Sequence, residues 1–295
     1  MRAIVLGGSG FIGGHLAEIL LSRGYQTTIA DIKAPEGFEW KGNFIKTDIT
    51  KIADVELVVS EFKPDVIFDC SGVLGTAETF GRINDAIEVN IKGMVNALDI
   101  ARKYNVPLIY CSLTNKWLNP YTITKRTATK LCLMYAKEYD MKVAVVRGLN
   151  AYGSRQHWKK VRKIAPTFIV RALDNENIVI NGNGNQIVDM VNAKDLSEIM
   201  IRVFEKDNCW GRAIDGGTGI PVTVKEVAEL VISLTGSKSK IVNQPMRMGE
   251  PENSVTLADP APACQLLGFR PQIGLEEGMK ETIEWYRENY KTFDK

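Results

Sequence analysis

Histidine is scarce in this chain: His15 and His157 are the only two among 295 residues. Cysteine is thinly spread, at Cys70, Cys111, Cys132, Cys209 and Cys264. No two of these stand at metal-pair spacing and two imidazoles do not complete a zinc site, so no metal centre is expected. An odd number of dispersed cysteines also argues against a disulfide framework and fits a reducing cytoplasm. An excess of one charge is missing too, with 37 Lys and Arg against 35 Asp and Glu, a net +2. A nucleic-acid footprint needs a basic surplus, so none is expected. The local run Lys159, Lys160, Arg162 and Lys163 reads either as a solvated helix face or as a phosphate-facing one. No apolar stretch approaches the ~18 residues of a membrane span. The first apolar run stops at Gly7 and reads as a buried strand rather than a signal peptide.

What is present is the mix of an ordinary globular protein, 45% hydrophobic and 24% charged, on a chain long enough for a large core. Apolar strand-like runs alternate with helical stretches through the first half. Strands are expected at 3–6, 27–30, 66–70, 108–111 and 143–146, and helices at 11–22, 83–104 and 124–139. This alternation predicts an α/β fold, a Rossmann-type doubly wound parallel sheet with helices on both faces. After Tyr152 the rhythm changes. Residues 1–152 are expected to form the dinucleotide-binding domain and to take back part of 185–215. Residues 153–295 are expected to form mainly a smaller α/β substrate-binding lobe.

The turn Gly7-Gly8-Ser9-Gly10-Phe11-Ile12-Gly13 follows the first strand and opens the first helix. Glycines at 7, 10 and 13 suit a tight turn, a close backbone approach to a pyrophosphate, and helix-on-sheet packing. The helix start, at Phe11 and Ile12, then offers free N–H groups to the anion. Asp31-Ile32 ends the second strand, where a carboxylate accepts from adenosine ribose hydroxyls and repels a 2′-phosphate. The cofactor expected is NAD rather than NADP. Tyr121 and Lys125 stand four apart at the start of a helix, so both fall on one face.

These glycines, spaced three and three, together with Tyr121-Thr122-Ile123-Thr124-Lys125, resemble the extended short-chain dehydrogenase/reductases. Within them the chain resembles the NAD-dependent sugar-nucleotide epimerase/dehydratase family, of the UDP-glucose 4-epimerase kind. The resemblance implies that Asp48-Ile49 contacts adenine and that Cys70-Ser71-Gly72 meets the cofactor at the fourth strand. It implies a cofactor-side role for Asn90, and substrate diphosphate contacts for Asn150 and Arg247. It implies a nucleotide-sugar substrate and a homodimer built on the helices 83–104 and 124–139, with Leu131, Cys132 and Tyr135 either on that face or in the core.

The resemblance makes Tyr121 a general base toward a sugar hydroxyl, its pKa drawn down by Lys125 and the nicotinamide charge. Lys125 would also hold the nicotinamide ribose. The third catalytic member should be a Ser or Thr. A strict count from the strand puts Leu113 in that slot, so either Thr114, by a one-residue slip, or Ser112 fills the role. Two further departures stand out. Thr114 and Tyr121 are seven positions apart, where relatives carry some twenty or more, and Val188 occupies a position where many carry Arg. Asn115-Lys116 lacks the Asp-Glu pair of dehydratases. Epimerisation at the 4-position of a nucleotide-linked sugar is therefore expected, with 2-epimerase, dehydratase and dehydrogenase as alternatives. Non-catalytic dinucleotide binders of this fold lose the Tyr or the Lys, and both are present here.

Overall fold

The computed structural model describes residues 1–293. Six strands come first: β1 (Arg2–Leu6), β2 (Gln26–Asp31), β3 (Asn43–Lys46), β4 (Val66–Asp69), β5 (Leu108–Leu113) and β6 (Val143–Gly148). Between them lie α1 (Phe11–Ser22), α2 (Ile52–Phe62), α3 (Ile83–Ile87), α4 (Met94–Tyr104) and α5 (Pro120–Glu138). The second half adds short strands β7 (Asn150–Tyr152), β8 (Ile178–Asn181), β9 (Ile187–Val188) and β10 (Met190–Asn192), then β11 (Ala213–Gly216). Its helices are α6 (Ile164–Leu173), α7 (Ala193–Glu205), α8 (Val224–Thr235), α9 (Pro260–Leu267) and α10 (Leu275–Asn289).

Seven strands make one parallel sheet in the order β11-β6-β5-β4-β1-β2-β3. The order reverses between β1 and β4, and at such a switch point a crevice opens beyond the carboxyl ends of the strands. Period-2 alternation sends Ala3 and Val5 of β1 to one face and Ile4 and Leu6 to the other. The first face packs on α1 and α7, through Leu16, Leu20, Leu196 and Met200. The second packs on α2, α4 and α5, through Val55, Val59, Leu98 and Cys132. Burial on both faces explains why these strands are apolar throughout. A separate core of Phe168, Ile169, Val227, Val231, Met279 and Tyr286 holds α6, α8 and α10 together.

Two differences from the sequence expectation bear on the site. The helix expected over 83–104 is split: α3 runs into a wider π turn at Glu88–Gly93 before α4 begins. Gly93 sits against Ile49, where a Cβ would come within 2.8 Å of the Ile49 side chain. Cys132 and Tyr135 belong to the core of the single chain, and the Tyr135 hydroxyl donates to Asp99 Oδ1 at 2.8 Å. The exposed apolar residues of these helices include instead Ile83, Ile87, Tyr104, Ile123 and Met134. Among the described residues no helix is long and apolar enough to cross a membrane.

Candidate active site

The turn after β1 is shaped by what its glycines lack. Gly7 has φ +70°, and a Cβ there would meet the Ser71 backbone at 2.6 Å. A Cβ on Gly13 would stand 2.3 Å from the Gly7 carbonyl oxygen. Beta-strand and helix therefore approach each other through bare backbone. Gly10 is the N-cap of α1 and no side chain caps that end, which leaves the first N–H groups available to an anion.

A crevice of about 540 Å³ runs over this turn. Gly7, Gly10, Phe11, Ile12 and Gly13 line it, as do Asp31, Ile32, Asp48, Ile49, Cys70, Ser71, Gly72, Ser112, Tyr121 and Lys125. The structure thus brings together fourteen residues of the cofactor expectation, Tyr121 and Lys125 among them, with Ser112 beside them at one strand-end crevice. Asp31 is oriented by the backbone N–H groups of Ser9, at 3.1 Å, and Lys33, at 3.3 Å. Burial raises its pKa above the usual carboxylate value. Asp48 accepts from the Thr50 hydroxyl at 2.7 Å, which lowers its pKa. Asn90 does not line the crevice. Its side chain clamps Val73 through both backbone groups, at 2.8 and 3.1 Å, and donates to Thr124 Oγ1 at 3.0 Å. It holds the loop after β4 against α5. Arg82, Asp85 and Glu88 line the crevice from α3 and its approach, and no local sequence signal marks them.

Tyr121 and Lys125 stand in the first turns of α5. Asn119 caps that helix, accepting from the Thr122 N–H at 2.8 Å, with Pro120 at the first helical position. The Lys125 ammonium donates to the carbonyl oxygens of Cys111, at 2.8 Å, and Ser71, at 3.4 Å, and lies 4.3 Å from the Tyr110 ring centroid. Burial lowers its pKa. Burial also pushes the Tyr121 phenol above its ordinary value. The protein groups alone therefore do not draw this phenol down; positive charge from a bound ligand has to offset the desolvation.

A second crevice of about 180 Å³ continues from the first, sharing Phe11, Ile12, Leu74, Ser112 and Tyr121. Asn150 and Arg247 line it together with Leu113, Arg162, Lys163 and Glu250. The Asn150 Nδ2 group is buried with no hydrogen-bond partner among the described residues, an unengaged donor at the crevice. Arg247 pairs with Glu250 on a loop anchored to α5, because Asn119 Nδ2 donates to the Gly249 carbonyl oxygen at 2.9 Å. Thr114 does not line this crevice. It faces an adjoining groove of about 760 Å³ with Asn115, Trp117 and Leu118, and its Oγ1 is buried without a partner. Ser112 does line the crevice, but its hydroxyl lies 2.6 Å from Thr129 Oγ1. Val188 also lines it, bringing no charge.

The model of the NAD-dependent epimerase/dehydratase family matches residues 3–212. The chain is similar to a UDP-N-acetyl-α-D-glucosaminuronate decarboxylase of Bacillus cytotoxicus, 30% identical over 97% of this chain and 98% of that one. It superposes on the Thermotoga maritima UDP-glucose 4-epimerase solved with UDP-glucose, with a TM-score of 0.92 and 26% identity over 98% of this chain and all of that one. The Thermus thermophilus UDP-glucose 4-epimerase in complex with NAD has the same fold, with a TM-score of 0.88 and 24% identity over 98% of this chain and 100% of that one. The glycine cradle and its crevice fit a dinucleotide, and NAD is the cofactor of the family.

Proposed function

The chain belongs to the NAD-dependent epimerase/dehydratase family, and we propose that it epimerises a nucleotide-linked sugar at the 4-position through a transient keto sugar. The observation that carries this reading is the position of Tyr121, which lines both the cofactor crevice and the second crevice. A group placed there reaches the cofactor and a sugar at once. NAD, when bound, accepts a hydride and can return it to the other face of the sugar. Gly7, Gly10 and Gly13 would hold its pyrophosphate at the α1 N-terminus, and Asp31 would accept from its adenosine ribose. Tyr121 accepts the hydroxyl proton, and the positive charge of NAD, when bound, would offset the burial that holds its pKa up. Asn150 and Arg247 bind the substrate diphosphate, and no carboxylate at Asn115-Lys116 promotes dehydration.

Incubation with a panel of UDP-, dTDP-, CDP- and GDP-sugars, followed by NMR of the products, tests this. The expected product is a 4-epimer with no net NADH. Tyr121→Phe should cut turnover about 10²–10⁴-fold while NAD stays bound. An active Tyr121→Phe, or stoichiometric NADH release, overturns the reading. A 2-epimer, a 4-keto-6-deoxy sugar or loss of CO₂ in the same spectra identifies another reaction of the family. On the same footing, the exposed Ile83, Ile87, Ile123 and Met134 are proposed as a homodimer face, which the solution mass checks.

A further inference from the structure

At the end of β5 no described side chain both lines the substrate crevice and offers an unengaged hydroxyl. Leu113 occupies the end of β5 and carries none. The Ser112 hydroxyl is taken up by α5, through Thr129 Oγ1 at 2.6 Å and the Lys125 carbonyl oxygen at 3.5 Å. Thr114 faces the adjoining groove. An oxygen that loses its proton to Tyr121 needs a hydrogen-bond donor on its other side.

Lys163 is positioned to supply one. It is the N-cap of α6, and its neighbour Arg162 is pinned by a backbone bond to Glu78 Oε1 at 3.2 Å. The Lys163 ammonium lies 5.7 Å from the centroid of the Tyr121 ring, and the residue lines the substrate crevice. Four charged groups surround it: Arg162 on its own loop, Glu78 after β4, and Arg247 and Glu250 on the C-terminal loop. Burial and then Arg247 bring its pKa from the usual lysine value down to about 8, against the opposing pull of Glu78 and Glu250. Lys163 is the lysine that lines this crevice, and its ammonium lies over the Tyr121 ring. Arg247 and the Asn150 amide line the same crevice and are the groups proposed above for the diphosphate.

We propose that Lys163 is a catalytic residue whose ammonium donates a hydrogen bond to the sugar oxygen deprotonated by Tyr121, taking the place of the strand-end hydroxyl. This rests on the hydride-transfer reading above. On oxidation the O–H proton passes to the Tyr121 oxygen, the C–H pair leaves as hydride to NAD, and the C=O bond forms. Lys163 keeps its proton and stabilises the oxygen, and the return step reverses each transfer.

The test uses the intact NAD-loaded protein, Lys163→Met and Lys163→Arg. Reduction of bound NAD is followed at 340 nm after mixing with UDP-glucose, UDP-galactose, UDP-N-acetylglucosamine or UDP-glucuronate. UDP affinity is measured by calorimetry. Lys163→Met should lower the saturating rate about 100-fold, as loss of one oxyanion donor does, and leave the UDP Kd within twofold. Lys163→Arg should recover part of the rate and lose any rate change centred near pH 8. A tenfold weaker UDP Kd with an unchanged saturating rate overturns the proposal and makes Lys163 a diphosphate ligand. No NAD reduction by wild-type protein with any of the four sugars overturns the hydride-transfer reading, and the proposal with it. Acetic anhydride labelling of wild-type Lys163 gives a readout independent of variant folding. A sugar nucleotide that reduces NAD should protect Lys163 and UDP alone should not; protection by UDP alone refutes the proposal.

Discussion

Replacing Gly13 by alanine should damage both the fold and NAD binding, whereas the same change at Gly10 should damage binding alone. An alanine Cβ at position 13 would stand 2.3 Å from the Gly7 carbonyl oxygen and 2.9 Å from the Gly8 Cα. Carbon and oxygen in close contact ordinarily keep roughly 3.3 Å apart, so the overlap is about 1 Å. Both struck atoms are backbone in the β1–α1 turn, and no side chain can swing aside. Relief requires α1 to lift from β1, which loosens Leu16, Ala17 and Leu20 in the core. Overpacking of this sort costs about 1–3 kcal/mol. At roughly 2–4 °C per kcal/mol for a chain of this size, the melting temperature should fall about 5–10 °C. The displaced helix N-terminus should weaken NAD about 100-fold, equivalent to about 3 kcal/mol. At Gly10, φ is −79° and the nearest obstacle is the Gly7 oxygen at 3.2 Å, so the fold accepts alanine with a shift of a few tenths of an ångström. That Cβ nevertheless enters the space where a pyrophosphate would lie. Thermal unfolding without added NAD and an NAD titration by calorimetry separate the two effects. A Gly13→Ala protein with wild-type melting and NAD affinity refutes the reasoning, as does a Gly10→Ala protein equally destabilised.

Asp189 is fully buried and accepts from Thr218 N at 2.9 Å, Thr218 Oγ1 at 2.6 Å, Gly219 N at 2.8 Å and Ala258 N at 3.2 Å. Asp189→Ala should cost about 3 kcal/mol or more in denaturant unfolding, since it leaves several buried donors unpaired, and Asp189→Asn should cost less. His15 is buried against Arg155, and desolvation lowers its pKa from 6.5 to about 3. The unfolded chain therefore binds a proton that the folded one refuses. Stability should fall as pH drops from about 6.5 toward 3, by up to about 1.4 kcal/mol per pH unit, and His15→Gln should remove that one-proton slope. Asp31→Ala should weaken NAD about tenfold and narrow its advantage over NADP; an unchanged NAD/NADP ratio in titration would place the ribose elsewhere.

The parts of the fold legible in the sequence are those written in local periodicity. The central strands are apolar because both faces are covered, so β1, β4, β5 and β6 announce themselves. Strand β3 does not, because as an edge strand it pairs only with β2 and its burial fades at both ends. Helix α2 has Lys51 at its N-cap, with no side-chain cap, so the usual start signal is missing. The π turn at Glu88–Gly93 is equally silent, being set by Ile49 packing on Gly93 from a distant segment. In the site, the glycine turn and the Tyr121–Lys125 pair are legible because backbone conformation and i,i+4 spacing are local properties. Asn90 sits in a familiar motif, yet its hydrogen bonds go to Val73 and Thr124, and only the tertiary structure reveals a clamp rather than a crevice wall.

The substrate side is where local reading stops, for a reason visible in the chain itself. The six residues between Thr114 and Tyr121 leave no room for a covering loop, so the strand end opens into the groove of Asn115, Trp117 and Leu118. The wall that remains comes from far along the chain. The cap residue Asn119 binds Gly249, and Gly249, with φ +78°, is packed so closely on Phe80 that a Cβ would come within 2.7 Å. This contact sets Arg247 and Glu250 over the Tyr121 end of α5, and the same two residues face Lys163. The C-terminal loop and the cap of α6 thus supply crevice wall that the short β5–α5 connection does not. Residues that choose the sugar should accordingly be sought at Arg162 and Glu250, on the wall beside Tyr121, rather than at the strand end.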